Sequence, residues 1–180
     1  MVLSTVSADT PLKSLAALVD AMASVVTERP SAKLHVVGEL RDGPAKAAIK
    51  RHALEDSIVF HGRLSQAELA DLYRRAAVVA APSVFEGFGL PTAEAMACGA
   101  AVVVTDGGAL PEVAGDAGVV VPVGDAAVLG DAISALLRDE DRRRELGVRA
   151  VERARTRFSW RKHAQAAIVA YKEAGVRAHD

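Results

Sequence analysis

Two carboxylates enclose a glycine-rich segment in the middle of the chain. The segment reads Glu86-Gly87-Phe88-Gly89-Leu90-Pro91-Thr92-Ala93-Glu94. Ionised carboxylates accept hydrogen bonds, so Glu86 and Glu94 are suited to hold a polyol. Pro91 favours a helix start, where the free N–H groups of Gly89, Leu90 and their neighbours would bind a phosphate. A phosphate next to a polyol is typical of a sugar nucleotide.

A purely structural interpretation of the same segment stays open. A glutamate in the first turn of a helix is stabilised by the helix dipole by about 0.3–1 kcal/mol. Glycines between a strand and a helix are also ordinary turn residues. The residue types alone therefore support a ligand site and a structural turn equally well.

Short apolar runs alternate with helical patterns along the whole chain. We predict strands at 2–6, 34–37, 58–60, 78–81, 101–105 and 119–121. We predict helices at 11–29, 43–54, 65–75, 91–98, 109–115, 125–138, 141–157 and 159–174. This order is typical of an α/β fold, with a parallel sheet of about six strands between helices. The whole chain, 1–180, is thus predicted to be one Rossmann-like domain.

The glycines indicate which edge of the sheet carries the site. Six of the 14 glycines come soon after a predicted strand: Gly38, Gly62, Gly87, Gly89, Gly107 and Gly108. Ligands of open parallel sheets bind outside the carboxyl ends of the strands. The two glutamates are therefore expected at a crevice on that edge.

Composition excludes several classes of function. The chain has 180 residues, 51% of them hydrophobic, which is enough for one ordinary core. Its net charge of −1 gives no global field for nucleic acid or an anionic membrane. The single cysteine, Cys98, cannot form an internal disulfide and favours a reducing, cytoplasmic location. No apolar run reaches the roughly 20 residues of a transmembrane segment.

Three other patterns carry little weight. Asp139 and Asp141 form an Asp-x-Asp pair, but it lies between helices and away from the glycine-bearing edge. The five histidines, His35, His52, His61, His163 and His179, show no metal-ligand spacing, so no metal is expected. Gly87 and Gly89 lack the third glycine of a dinucleotide fingerprint, which argues against a dehydrogenase.

The central motif resembles the C-terminal domain of retaining glycosyltransferases with the GT-B fold, in the "group 1" family. The resemblance covers most of the chain. It rests on the segment from Phe85 to Pro91, then Glu94-Ala95-Met96-Ala97-Cys98-Gly99, Val102-Val103, Gly107-Gly108, Pro111-Glu112, Gly118 and Val121-Pro122, with Phe158-Ser159-Trp160 before the last helix.

The resemblance implies a donor-binding half of a metal-independent enzyme. Such an enzyme transfers a sugar from a nucleotide diphosphate sugar with retention at the anomeric carbon. Glu86 and Lys13 would be the catalytic residues, with Glu86 beside the donor sugar and Lys13 on the diphosphate. Glu94 would bind the ribose. The N–H groups of Phe88, Gly89 and Leu90, after Gly87, would meet the sugar and the distal phosphate.

Lys13 has independent support, because a lysine in a first helical turn opposes the helix dipole and needs an anion nearby. Arg63, which follows Gly62, is a further candidate for the nucleotide base or phosphate. No cofactor is expected.

The sequence departs from the family pattern around Lys13. The family has Gly-Arg shortly before this lysine and a glycine after it, whereas residues 6–9 read Val-Ser-Ala-Asp and Ser14 follows. The arginine fork that grips phosphate in two places is therefore missing. The expected partner is an N-terminal acceptor-binding domain, on which the final helix, 161–174, could pack and through which the protein could reach the inner face of the membrane.

Without that domain we expect donor binding and no transfer. Two alternatives remain open, a non-catalytic sugar-nucleotide-binding or interaction domain and a related GT-B phosphorylase or epimerase. The sequence does not specify the base, the sugar, the acceptor or the oligomeric state.

Overall fold

Six parallel strands form one sheet in the computed structural model, which describes residues 1–5 and 10–175, without the side chains of residues 3–5 and 163. The strands are β1 (Val2–Thr5), β2 (Leu34–Val37), β3 (Ile58–Phe60), β4 (Val78–Ala81), β5 (Val102–Thr105) and β6 (Gly118–Val121). Their spatial order is β3-β2-β1-β4-β5-β6. The predicted α/β class and the sheet of about six strands are confirmed.

Eight α-helices connect and flank the strands in this part of the chain. They are α1 (Leu15–Glu28), α2 (Pro44–Arg51), α3 (Gln66–Arg75), α4 (Leu90–Ala97), α5 (Leu110–Ala114), α6 (Ala126–Arg138), α7 (Glu140–Arg157) and α8 (Trp160–Glu173). Short 3₁₀ turns cover Pro11–Lys13, Glu55–Ser57 and Gly115–Ala117. At α3 a capping box forms, because the side chains of Ser65 and Glu68 each accept a hydrogen bond from the other residue's backbone N–H.

The strands are apolar on both faces because helices cover both faces. In β4, Val78 and Ala80 pack into one core cluster with α1, α2 and α6. Val79, between them, packs into a second cluster with α4 and α5 on the opposite side. Continuous runs such as 78–81 are therefore the strand pattern of a sheet buried between two helical layers.

The first helix differs from the prediction, and the difference concerns Lys13. Residues 11–29 were expected to form one helix with Lys13 in its first turn. Instead Lys13 ends the 3₁₀ turn, and α1 begins at Leu15. Ser14 separates the two with a left-handed backbone, φ 50° and ψ 40°. The dipole argument for an anion beside Lys13 was therefore wrong, since Lys13 is not in the first turn of α1.

The second helix is also shorter than predicted. Ala53 adopts a left-handed conformation with φ 50°. The N–H of Ala53 donates to the Lys50 carbonyl at 3.2 Å and the N–H of Leu54 to the Ile49 carbonyl at 3.0 Å, which closes a Schellman motif. No glycine marks this stop, so the sequence pattern extended the helix to residue 54.

Candidate functional site

The strand order reverses between β1 and β4, and the sequence-predicted site lies at this point. β1 pairs with β2 on one side and with β4 on the other. In sheets of this type the loops diverge at such a switch point and leave a crevice at the carboxyl ends of the strands. The chain after β1 carries Lys13, and the loop after β4 carries Glu86.

Lys13 and Glu86 form an ion pair across this crevice. The Lys13 Nζ lies 2.5 Å from the Glu86 Oε1, although 73 residues separate them in sequence. Their side chains are only 24% and 17% exposed, respectively. The hydroxyl of Ser83, which is buried, donates to the same Oε1 at 2.8 Å. Two donors thus converge on one carboxylate oxygen.

Backbone hydrogen bonds join the three neighbouring loops in series. The Val84 N–H donates to the Leu12 carbonyl at 2.8 Å, which links the loop after β4 to the turn that carries Lys13. The Ala109 N–H donates to the Glu86 carbonyl at 2.9 Å, and Glu86 also forms a parallel bridge with Gly108. The sheet pairing therefore continues past the strand ends and fixes the backbone of Glu86.

Two adjacent glycines allow this close approach. A Cβ on Gly107 would lie 2.5 Å from the Ser83 carbonyl oxygen. A Cβ on Gly108, which has a positive φ of 64°, would collide with the Glu86 carbonyl oxygen. Both contacts are with backbone atoms, which cannot rotate away. The glycine pair is thus required by the loop that holds Glu86.

The start of α4 provides N–H groups at the same edge. The helix begins at Leu90, with Pro91 in its first turn, and no side chain caps it. Gly89 precedes it with φ 90°, and a Cβ there would lie 2.7 Å from the Leu110 Cδ2. Because the first N–H groups of a helix have no intrahelical acceptor, they are suited to bind an anion.

The remaining residues of the motif surround this helix start. Gly87 is exposed, with open space where a Cβ would stand. Phe88 packs edge-on against Phe158, with ring centroids 5.5 Å apart. Leu90 is exposed. The motif therefore presents backbone and apolar surface to solvent, with the Glu86 carboxylate behind it.

Glu94 is half-buried within α4, one helical turn beyond the glycine loop. The Tyr73 hydroxyl from α3 donates to its Oε2 at 3.5 Å. Glu86 and Glu94 therefore flank the helix start from the loop and from the helix itself, as the sequence predicted.

Arg63 is placed differently from the other candidates. It is exposed in the loop after β3, an edge strand. β2 and β1 separate β3 from β4, which corresponds to about 14 Å across three strand spacings. Sheet order does not bring Arg63 next to the Glu86 loop.

Sequence reasoning missed Ser83 and Tyr73 as partners of the two glutamates. Ser83 carried one usable signal, since a small polar residue follows Pro82 directly at the end of a buried strand and three positions before Glu86. Tyr73 had none, because its contact with Glu94 depends on how α3 packs beside α4. The departures at residues 6–9 lie outside the described residues.

The described residues contain neither a metal-binding cluster nor a membrane-spanning helix. There, no three His, Cys, Asp or Glu side chains come together in a way that could hold a metal ion. None of the helices in residues 10–175 combines the length and the apolar character of a membrane span. Metal independence stays a prediction.

Known proteins with similar sequences indicate the family of this chain. Residues 2–139 match the family described as glycosyl transferases, group 1. This chain belongs to the group 1 glycosyl transferases. A relative from Mycolicibacterium hassiacum, the MMP alpha-(1->4)-mannosyltransferase, is 37% identical over 93% of the chain and 42% of its own length.

Two solved structures have the same fold as this chain. The Anabaena protein Alr3699/HepE, solved in complex with UDP, is 25% identical with a TM-score of 0.84, over 96% of this chain and 48% of that one. The C-terminal domain of a glycosyl transferase group 1 family protein from Francisella tularensis is 24% identical with a TM-score of 0.78, over 88% of this chain and 86% of that one. The second likeness shows the fold alone.

This group 1 glycosyl transferase chain spans about two fifths of the length of the relatives it matches. The Rossmann-like half of a GT-B fold that was predicted from the motif is confirmed.

Proposed function

We propose that this chain binds the nucleotide diphosphate sugar donor of a retaining, metal-independent glycosyltransferase. The convergence of Lys13, Glu86 and the start of α4 at the switch point carries this proposal. A cation and a set of fixed N–H groups can stabilise the charge of a departing nucleoside diphosphate without a metal. A carboxylate next to them can orient the hydroxyls of the transferred sugar.

Each residue takes one role in this proposal. Lys13 and the N–H groups of Phe88, Gly89 and Leu90 hold the diphosphate and the near side of the sugar. Glu86 accepts hydrogen bonds from sugar hydroxyls at the reacting end of the donor. Glu94 accepts hydrogen bonds from the ribose hydroxyls. The Anabaena neighbour was solved in complex with UDP, which supports a nucleotide as the ligand of this fold.

The whole protein's reaction also needs an acceptor site. Because the matched relatives are more than twice as long as this chain, we propose an N-terminal acceptor-binding domain as its partner. These 180 residues alone would then bind donor and transfer nothing. A cytoplasmic location and the absence of a cofactor belong to the same proposal.

The last helix offers a surface for that partner. Trp160, Ile168 and Tyr171 are exposed on α8 and fall within one helical stripe about 80° wide. No described residue of α8 is in the buried core. We propose that this stripe packs on the acceptor-binding domain. Equal amide hydrogen exchange in α8 with and without that domain would contradict the packing.

The experiment for donor binding is an NMR titration of this chain without metal. UDP-glucose, GDP-mannose and ADP-glucose are added in turn to the wild type, to Glu94→Ala and to Glu152→Ala. Glu152 is a suitable control because it is exposed on α7, away from the sheet edge. We expect one nucleotide to shift signals of Lys13 and of the segment 86–94.

The expected order of affinities separates the roles. Glu94→Ala should weaken binding about 10–150-fold, because the loss of hydrogen bonds to a charged group costs about 1.5–3 kcal/mol. Glu152→Ala should bind like the wild type. Equal affinity of all three proteins would remove the ribose role of Glu94. No saturable shift with any donor would contradict the proposed function.

A further inference from the structure

The ion pair at the site joins two residues that the proposed function assigns to different parts of the ligand. Lys13 is expected on the diphosphate and Glu86 on the sugar. Yet the Lys13 Nζ and the Glu86 Oε1 lie 2.5 Å apart, with both side chains mostly shielded from water. Opposite charges at this distance attract each other, and removing one partner leaves the other poorly compensated. A ligand that attracts Lys13 therefore changes the surroundings of Glu86.

We infer that this pair makes the site select a nucleotide sugar over the matching nucleoside diphosphate. The inference rests on the proposed donor role. A bare diphosphate attracts Lys13 and places further negative charge near Glu86, which then loses its cation and gains no donor. A nucleotide sugar attracts Lys13 in the same way, but its sugar hydroxyls donate to the Glu86 carboxylate and replace the lost partner.

Ser83 keeps the carboxylate in place during this exchange of partners. Its hydroxyl donates to the same Glu86 oxygen at 2.8 Å, and its side chain is buried. The Thr105 hydroxyl donates to the Ser83 carbonyl and fixes the backbone at this point. When Lys13 turns to a phosphate, Ser83 is the donor that still holds Glu86. We assign Ser83 as a positioning residue for Glu86.

The consequence concerns the product as well as the substrate. After sugar transfer the ligand becomes a nucleoside diphosphate, and Glu86 loses the hydroxyl donors that replaced Lys13. Lys13 is then drawn back toward Glu86 and away from the phosphates. The pair therefore favours binding of the donor and release of the product.

The test compares matched ligand pairs on charge-matched variants. Calorimetry gives Kd values for UDP and UDP-glucose, GDP and GDP-mannose, and ADP and ADP-glucose, with the wild type, Glu86→Gln and Glu152→Gln. Both variants lose one negative charge, but only Glu86→Gln removes it from the pair. We expect Glu86→Gln to bind the nucleoside diphosphate about 2–5-fold more tightly, the range that one partly exposed ion pair supplies, and the nucleotide sugar more weakly.

The Glu152→Gln control should keep the wild-type ratio of the two Kd values. An unchanged ratio in Glu86→Gln, with both ligands bound by the wild type, would overturn this inference and leave donor binding intact. Failure of the wild type to bind any of the six ligands would overturn the proposed function and this inference together. The two failures are therefore distinguishable.

Ser83→Ala tests the positioning role separately. We expect it to weaken the nucleotide sugar about tenfold, because a hydrogen bond to a charged group is lost, and to change the Kd of the nucleoside diphosphate less than twofold. Unchanged diphosphate binding also shows that the variant is folded at the site. Equal weakening of both ligands would overturn the positioning role of Ser83.

Discussion

Alanine substitutions at Gly108 and Gly62 can be compared to test how tightly the Glu86 loop is packed. Both glycines are left-handed, with φ of 64° and 62°. A Cβ at Gly62 would meet open space, whereas a Cβ at Gly108 would collide with the backbone of Glu86. An alanine in this conformation costs about 1–2 kcal/mol, offset by about 0.4–1 kcal/mol from a less flexible unfolded chain. Gly62→Ala should therefore lower the free energy of unfolding by about 1 kcal/mol.

Gly108→Ala should carry the same backbone cost and a steric cost in addition. The added methyl group must push Glu86 away, which strains the packing by about 1–3 kcal/mol. It also disturbs the 2.9 Å hydrogen bond from the Ala109 N–H to the Glu86 carbonyl, which contributes about 0.5–1.5 kcal/mol. We expect a total loss of about 3–4 kcal/mol, so the two variants should differ by about 2–3 kcal/mol.

Urea unfolding followed by far-ultraviolet circular dichroism measures both values. The variants should unfold with similar denaturant slopes, so that the midpoints report stability. A loss in Gly108→Ala no greater than in Gly62→Ala would refute the steric argument. The affinity for nucleotide sugars is a second measurement. Gly108→Ala should lower it, because the displaced backbone belongs to Glu86. Gly62→Ala should leave that affinity unchanged.

Three further predictions concern single residues. Ala53→Gly should raise the free energy of unfolding by about 0.5–1 kcal/mol in urea titrations, because glycine removes the left-handed strain at the end of α2; an unchanged midpoint would contradict this. Burial, together with His61, whose Nε2 lies 2.8 Å from the His35 Nδ1, lowers the pKa of His35. The unfolded chain therefore takes up the proton first, and the free energy of unfolding should fall as the pH drops below about 6.5. His35→Gln should show a smaller fall in the free energy of unfolding between pH 7.5 and 5.5. Burial raises the pKa of the Cys98 thiol. Iodoacetamide at pH 8 should therefore modify the thiol more slowly in the folded protein than in protein unfolded by 6 M urea.

The strands and most helices could be predicted from the sequence to within about one residue, but the boundaries of the first two helical segments could not. Continuous apolar runs such as Val78–Ala81 are typical of strands in a sheet that is covered on both faces. The ends of the first two helical segments depend on Ser14 and Ala53, which adopt the left-handed backbone that glycine normally provides. The residue types serine and alanine do not predict a left-handed conformation.

The motif predicted where Glu86, Glu94 and the helix start lie, but not which side chains contact the two glutamates. Pro91, which lies between Glu86 and Glu94, indicated the helix start. The pairing of Glu86 with Lys13 follows only from the adjacency of β1 and β4, which the order of elements along the chain does not fix. The contact of Ser83 with Glu86 depends on how the loop after β4 bends.

The long sequence separation between Lys13 and Glu86 has a consequence for folding. Their contact closes a loop of 73 residues and needs the pairing of β1 with β4, whereas β2 and β3 lie between them in sequence. Contacts between residues so far apart in sequence form late in folding, because the loss of chain entropy on loop closure must be overcome before they stabilise the fold. Ligand binding that requires both residues is therefore absent from any partly folded species in which β1 is detached. In refolding experiments, the recovery of nucleotide-sugar binding should report the last step of assembly, after the recovery of helical signal.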